Sequence, residues 1–169
     1  MTRPSKQRRA ARVLVVDDRD RLLLFHDSDL GLGVRMWITP GGGVDPGESD
    51  LEAAVRELRE ETGLDVTSSD LQGPVAHRVV WHGYSDKVVE QSEVYLGVRV
   101  GAFEVDTSGH TEEERLAMTA HRWWTREELL ATDEEVWPRC LAEIWDRLDA
   151  GAGDVDLGVH DESTVPVDR

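Results

Sequence analysis

A mixed α/β sandwich is the fold class this sequence predicts, and three features predict it. Short apolar, β-branched runs recur on both sides of mid-chain; one well-capped amphipathic helix lies between them; a second amphipathic stretch follows near the end. Strands before and after a central helix, with a helix to close, make a sheet that helices cover.

Residues 11–16 and 21–26 are apolar and β-branched, and the polar segment 17–20 between them reads as a hairpin turn. Residues 27–35 are polar and carry Gly31 and Gly33, so they form a loop. A short strand at 37–39 ends at Pro40. Gly41-Gly42-Gly43 then provides backbone that tolerates positive φ and close approach of a ligand. Residues 49–62 are the clearest helix: Ser49 is its N-cap, Glu52 completes a capping box, and Gly63 stops it. Leu51, Ala54, Val55 and Leu58 form its apolar stripe. Residues 75–81 and 88–100 are strands joined by a turn at 83–86, and 121–124 is another. Thr125 caps a small helix at 126–131, and 134–148 make a final amphipathic helix. No internal repeat is visible.

With 169 residues, 39% of them hydrophobic, the chain can bury one sizeable core but not two. One domain over residues 10–148 is expected, between a flexible basic arm (1–9) and an acidic, mostly disordered tail (149–169). Arg3, Lys6, Arg8, Arg9 and Arg12 could reach a phosphate, but fraying explains a basic terminus first. The longest apolar runs, 13–16 and 22–25, fall far short of the roughly 20 residues of a membrane span. No apolar core follows the basic N-terminus, so it is no secretory signal. Cys140 is the only cysteine, which excludes an internal disulfide and suits a reducing, cytoplasmic setting. The net charge of −16 repels a nucleic-acid backbone and argues against general nucleic-acid binding. Most of that excess is a solubilising surface; the remainder can gather around metal ions.

Glu57, Glu60 and Glu61 lie at i, i+3 and i+4 on the central helix, on one side of it and next to its apolar stripe. Like charges so spaced destabilise an isolated helix by a few tenths of a kcal/mol each. Taken alone, they read as a solvated acidic face. Beside a Gly-rich loop, they suit a hard cation such as magnesium, which takes oxygen ligands and substrate phosphates. The surrounding run decides between these. Residues 42–64 read GGVDPGESDLEAAVRELREETGL, which resembles the Nudix box, G-x5-E-x7-R-E-U-x-E-E-x-G-U with U apolar. Gly42, Glu48, Arg56, Glu57, Leu58, Glu60, Glu61, Gly63 and Leu64 fill all nine specified positions.

The resemblance implies the Nudix fold, a mixed β-sheet between α-helices (an α/β/α sandwich), over roughly residues 10–148. It implies a Mg²⁺-dependent hydrolase, with Mn²⁺ as a substitute, that cleaves a phosphoanhydride bond in a nucleoside-diphosphate-linked substrate. Matched by position, Glu57, Glu60 and Glu61 are metal ligands, the Gly41 carbonyl adds another, Glu48 supports the site, and Arg56 orients a carboxylate. Glu57 is the favoured base for the attacking water. The base varies among relatives, and Glu114, in the loop 111–115, is the extra candidate ligand or base. Trp37 and Trp81 are candidates to stack a nucleotide base, Arg35 and Arg78 to hold phosphate, and Gly42 and Gly43 to approach the substrate. Trp123, Trp124, Trp137 and Trp145 read as core.

Narrower signatures do not fix the substrate. Zinc-binding cysteine pairs are absent, as are the proline and tyrosine expected beyond the box in ADP-ribose and dinucleoside-polyphosphate hydrolases. The runs 37–43 and 121–124 look most like small MutT-related members. The alternative function is a Nudix module that binds a nucleotide or a partner without turnover, but such modules usually lose box carboxylates that this chain keeps. An isomerase on the same fold needs a cysteine in the pocket, and Cys140 lies in the predicted last helix. The six histidines show no zinc spacing, Asp17-Asp18-Arg19-Asp20 is no calcium loop, and no Gly-x-Ser-x-Gly elbow exists. A homodimer is compatible with the resemblance, with Trp137 and Pro138 available to its interface.

Overall fold

Along β1 (Ser5–Val16) the inner side chains alternate, Ala11, Val13 and Val15 on one face and Leu14 and Val16 on the other, and all five are fully buried. A strand apolar on both faces needs cover on both. The computed structural model describes residues 2–168. With β1, β2 (Arg21–Asp29), β3 (Val34–Ile38), β4 (Gly41–Gly43), β5 (Gln72–Gly83), β6 (Val88–Arg99), β7 (Ala120–Thr125), β8 (Val136–Trp137) and β9 (Asp156–Asp161) form one mixed sheet. Among the described residues its order is β8-β3-β2-β1-β6-β5-β9, with β4 on β1 and β7 on β2. β1 runs parallel to β6 from the Ser5–Val88 pair to Val16–Arg99. It meets β2 only at the Val16–Leu22 pair, because Ala10, Ala11 and Arg12 pair with β4 instead. β1 and β2 therefore diverge, and a cleft opens between them.

Helix α1 (Asp50–Thr62) covers one face, packing Ala53, Ala54 and Leu58 on Ala11, Val13, Val15, Leu23 and Phe25. Helix α2 (Glu112–Ala117) lies beside β2. α3 (Arg126–Ala131) and α4 (Leu141–Asp149) cover the other face, where Leu129, Ile144, Trp145 and Leu148 meet Leu14, Val16, Leu22 and Trp124. A sheet between helices is the expected α/β/α sandwich. No helix among the described residues is long and apolar enough to cross a membrane.

Several local expectations need correction. The arm is not loose: residues 5–9 are the first half of β1, and their backbone is satisfied by β6. The tail is not a disordered segment throughout, because β9 adds in parallel to β5, with His77 opposite Asp156 and Trp81 opposite Asp161. Its composition argued for disorder, but an exposed sheet edge supplies hydrogen bonds that composition does not register. The last helix starts at Leu141 rather than 134, since Pro138 lacks an N–H and disfavours helix in the residue before it; Val136 and Trp137 instead pair with β3. The loop at 111–115 is largely the helix α2, with Thr111 and Glu114 forming a capping box. The glycine run 41–43 is a short strand, and the expected loop 27–35 narrows to a hairpin connection between Asp29 and Val34.

Leu58, fully buried beneath α1, is expected to cost about 2–5 kcal/mol when truncated to alanine. Leu130→Ala, at a residue 69% exposed, is expected to stay within about 0.5 kcal/mol of the parent. Urea unfolding of both variants checks the difference, and equal losses would contradict the packing described.

Candidate metal and substrate site

Helix α1 is pinned at both ends, which fixes where its carboxylates point. The Ser49 hydroxyl accepts the Glu52 N–H at 3.1 Å, the Glu52 carboxylate accepts the Ser49 N–H at 2.8 Å, and the left-handed Gly63 ends the helix. With Ala53, Ala54 and Leu58 turned to the core, Glu57 and Glu61, one turn apart, project past β4 into the cleft. Gly42 lies close against them: a Cβ on it would be 2.6 Å from the Glu57 carboxyl carbon, so the carboxylate would have to shift. The Gly41 N–H donates to Glu61 Oε2 at 2.8 Å, and His110 Nε2 donates to the Glu61 carbonyl at 2.8 Å.

Arg56 ties the loop to this helix. Its Nε and Nη2 donate to the two Glu48 oxygens at 2.8 and 2.9 Å, Nη2 also to the Gly43 carbonyl at 2.9 Å, and Nη1 to Glu57 Oε1 at 2.8 Å. The Arg56 fork, helped by the Asp45 N–H, pulls the Glu48 carboxyl from its ordinary 4.5 down to about 2. Burial acts oppositely on the inner pair. It raises Glu57 above the ordinary carboxylate range despite Arg56, and raises Glu61 well above it, with the Glu57 charge adding to the effect.

Across the cleft, α2 delivers the third carboxylate. Single oxygens of Glu57, Glu61 and Glu114 lie within 4.8 Å of one another. Burial is the larger cause of the raised proton affinity of Glu57 and Glu61, and the charges of the neighbouring carboxylates add to it. An oxygen-only donor set of this kind fits a hard divalent cation, with the Gly41 carbonyl on the same cleft wall. Glu60 does not join the three: its side chain is 44% exposed, at the helix edge, 3.4 Å from Arg56 Nη1. Glu57 and Glu61 are about 40° apart around the helix, whereas Glu60 is roughly 60° from Glu57 on its other side.

The cleft has a volume of about 520 Å³. Arg8, Arg12 and Lys87 line it together with the carboxylates, along with Asp27, His82 and Tyr84. Burial raises the Asp27 carboxyl, which sits on β2 at the inner wall. Of the sequence-derived substrate residues, Gly42 and Gly43 line the cleft, and the other four do not. Arg35 is exposed at the start of β3. Trp37 faces the α4 core, donates Nε1–H to Glu134 at 2.8 Å and stacks on His26 at 4.4 Å. Trp81 pairs with Glu90 and Asp161 in the strands beside it. Arg78 is buried and held by Glu93 at 2.7 Å and Glu162 at 2.6 Å, beside a small cavity that adjoins the cleft. Strand alternation explains the misplacements, because the neighbours Ile38 and His82 face the cleft where Trp37 and Trp81 do not. Lys87, His82, Tyr84 and Asp27 carried no sequence signal, whereas Arg8 and Arg12 were visible as basic residues of matching strand parity.

The chain is similar to known proteins in sequence and in fold. A family model described as the NUDIX domain matches residues 6–143. A mouse protein named bis(5'-nucleosyl)-tetraphosphatase (asymmetrical) is 53% identical over 45 residues, 27% of this chain and 29% of its own length. An uncharacterized Nudix hydrolase of Rhodococcus erythropolis is 34% identical over 100 residues, 58% of this chain and 51% of its own. The matches thus span about half or less of these curated relatives. The crystal structure of a MutT protein from Bacillus halodurans superposes with a TM-score of 0.60 at 21% identity, covering 93% of this chain and 91% of that one, a likeness of fold.

Because the folded state holds the Glu48 carboxyl at about 2 against an ordinary 4.5, the Arg56–Glu48 contact adds stability that is complete above about pH 4.5 and is lost as pH falls through 2. The stability gap between the parent and Glu48→Gln, from denaturant unfolding at steps of pH, is expected to close over that window; a gap independent of pH rejects it.

Proposed function

The chain belongs to the Nudix domain family, and we propose that it is a divalent-metal-dependent hydrolase that cleaves a phosphoanhydride bond in a nucleoside-diphosphate-linked substrate. One observation carries the reading: a single cleft sets three converging carboxylates, Glu57, Glu61 and Glu114, against three cations, Arg8, Arg12 and Lys87. A polyanion that brings its own metal complements such a split-charge cavity. The name of the mouse relative adds dinucleoside polyphosphates to nucleoside triphosphates among the substrates to try.

On this reading Glu57, Glu61, Glu114 and the Gly41 carbonyl hold Mg²⁺, or Mn²⁺ in its place, which when bound neutralises the diphosphate charge and makes water a stronger acid. Arg8, Arg12 and Lys87 bind the outer phosphate oxygens and draw the chain of phosphates across the carboxylates. Glu57, with its proton affinity raised by burial, accepts the proton of the attacking water. Arg56 keeps Glu57 aimed by its Nη1 hydrogen bond, and Glu48 keeps Arg56 in place. Glu60, at the solvent edge, stands outside this set.

Glu61→Gln removes a ligand charge and keeps the shape of the side chain. It is expected to lower Mg²⁺-dependent kcat/KM by more than about 100-fold, and Arg56→Lys, which loses the fork, by about 10–100-fold. A panel of nucleoside triphosphates, ADP-ribose, nucleotide sugars and dinucleoside polyphosphates, with Mg²⁺, Mn²⁺ or EDTA, makes the measurement. Turnover that survives both EDTA and Glu61→Gln rejects the proposed function.

A further inference from the structure

The family match ends at residue 143, yet residues 162–166 reach back to the wall of the cleft. The Glu162 N–H donates to the Trp81 carbonyl at 3.0 Å, and the Thr164 and Val165 N–H groups donate to the Gly83 carbonyl at 2.9 Å each. Gly83 in turn donates its N–H to Ser163 Oγ at 2.7 Å. The two chains are so close that a Cβ on Gly83 would lie 2.1 Å from the Val165 carbonyl oxygen. The Thr164 hydroxyl bridges the Gly83 carbonyl and the carboxylate of Asp29, and that carboxylate also accepts the Ser85 N–H at 2.8 Å. Arg3 joins the Tyr84 carbonyl, at 2.7 Å, to the carbonyls of Val165 and Pro166. Most of these bonds end on residues 81–85, the end of β5 and the turn that carries His82 and Tyr84.

What the turn presents is an aromatic wall. The His82 ring stacks on Tyr84 at 5.8 Å and on Trp137 at 5.0 Å, both with an interplanar angle of 27°. Lys87 Nζ lies 5.7 Å from the Tyr84 ring centre. His82 is 5% exposed, and its Nδ1 contacts the Glu162 carbonyl at 2.8 Å. A carbonyl only accepts, so Nδ1 carries the proton, and burial keeps the imidazole neutral by lowering its proton affinity. Nε2 is then a bare acceptor on a cleft-lining ring, with no hydrogen-bond partner among the described residues.

We propose that residues 162–166 complete a nucleobase subsite, by holding the stacked His82–Tyr84 wall in place and turning His82 Nε2 toward a hydrogen-bond donor on the base. The subsite rests on the nucleotide reading of the cleft and adds its specificity: stacking on the rings accepts any base, and Nε2 favours a base edge that offers an N–H. Glu162 and Thr164 are positioning residues, acting through His82 and the 83–85 turn.

Two altered chains test it, Thr164→Val and a chain ending at Glu162, which keeps β9 and the Arg78–Glu162 pair. Titration calorimetry with Mg²⁺ compares methylene-bridged nucleoside triphosphate analogues with inorganic tripolyphosphate, which has no base, and amide exchange follows residues 84–87. The nucleotide analogues are expected to bind about tenfold more weakly to both altered chains, as loss of one stacking contact implies. Tripolyphosphate affinity is expected to be unchanged, and exchange at 84–87 to be faster. Nucleotide and tripolyphosphate affinities that fall together, or folded variants that change neither affinity nor exchange, overturn the proposal. A parent chain that binds nucleotide more tightly than tripolyphosphate but hydrolyses nothing overturns the hydrolase reading and supports the subsite. One that hydrolyses nucleotides but shows no preference over tripolyphosphate does the reverse.

Discussion

Arg56 is the one cation that reaches the carboxylates of α1 from within the loop–helix unit, and the geometry of the site depends on it. One planar guanidinium satisfies Glu48, the Gly43 carbonyl and Glu57 at once. It therefore sets the distance between the short strand β4 and the helix. There Gly42 lies against the Glu57 carboxyl and the Gly41 N–H donates to Glu61, with β4 itself paired to β1. The fork offsets part of the repulsion that gathering acids produces, and leaves the inner carboxylates with raised proton affinity and an appetite for a cation.

The sheet makes room for that unit by coming apart. β1 leaves β2 after a single pair and turns to β4, so a polar cleft opens in a sheet whose remaining faces are sealed by α1 on one side and α3 and α4 on the other. The cations of the cleft come from elements far apart in sequence, Arg8 and Arg12 from β1 and Lys87 from the β5–β6 turn. A chain with a net charge of −16 thus keeps a small cationic surface where an anionic substrate is proposed to lie.

Beneath the cleft is a second ionic network, buried and unlike the first. Arg78 lies between Glu93 and Glu162; Glu93 also accepts from Tyr95 and Gln91 and pairs with Arg12 at 3.5 Å. With Arg78 and Arg12 beside it and Tyr95 donating to it, the Glu93 carboxyl is held down to about 2, although burial alone would raise it. Removing either partner of Arg78 would leave a charge stranded in the core. The tail is anchored by this network, because Glu162 is the residue that brings it there.

The order of most elements and the capped helix that bears the box were legible in the sequence. Capping residues, an apolar stripe and a spacing such as that of Glu57 and Glu61 are short-range features, and short-range features determine local shape and direction. The capping box at Thr111 was equally local and was overlooked, so α2 read as a loop. Tertiary structure alone decided the rest. The arm and the tail became strands because β6 and β5 had edges to offer. Trp37 and Trp81 turned from the cleft, while His82 turned toward it, because strand parity depends on register with distant partners; Arg78 shares the face of His82 but is held back by Glu93 and Glu162. Glu60 parted from Glu57 and Glu61 because β4 approaches only one flank of the helix. Sequence spacing states which residues share a helix face or a strand face; which face meets the cavity is set by the packing of chain segments dozens of residues apart.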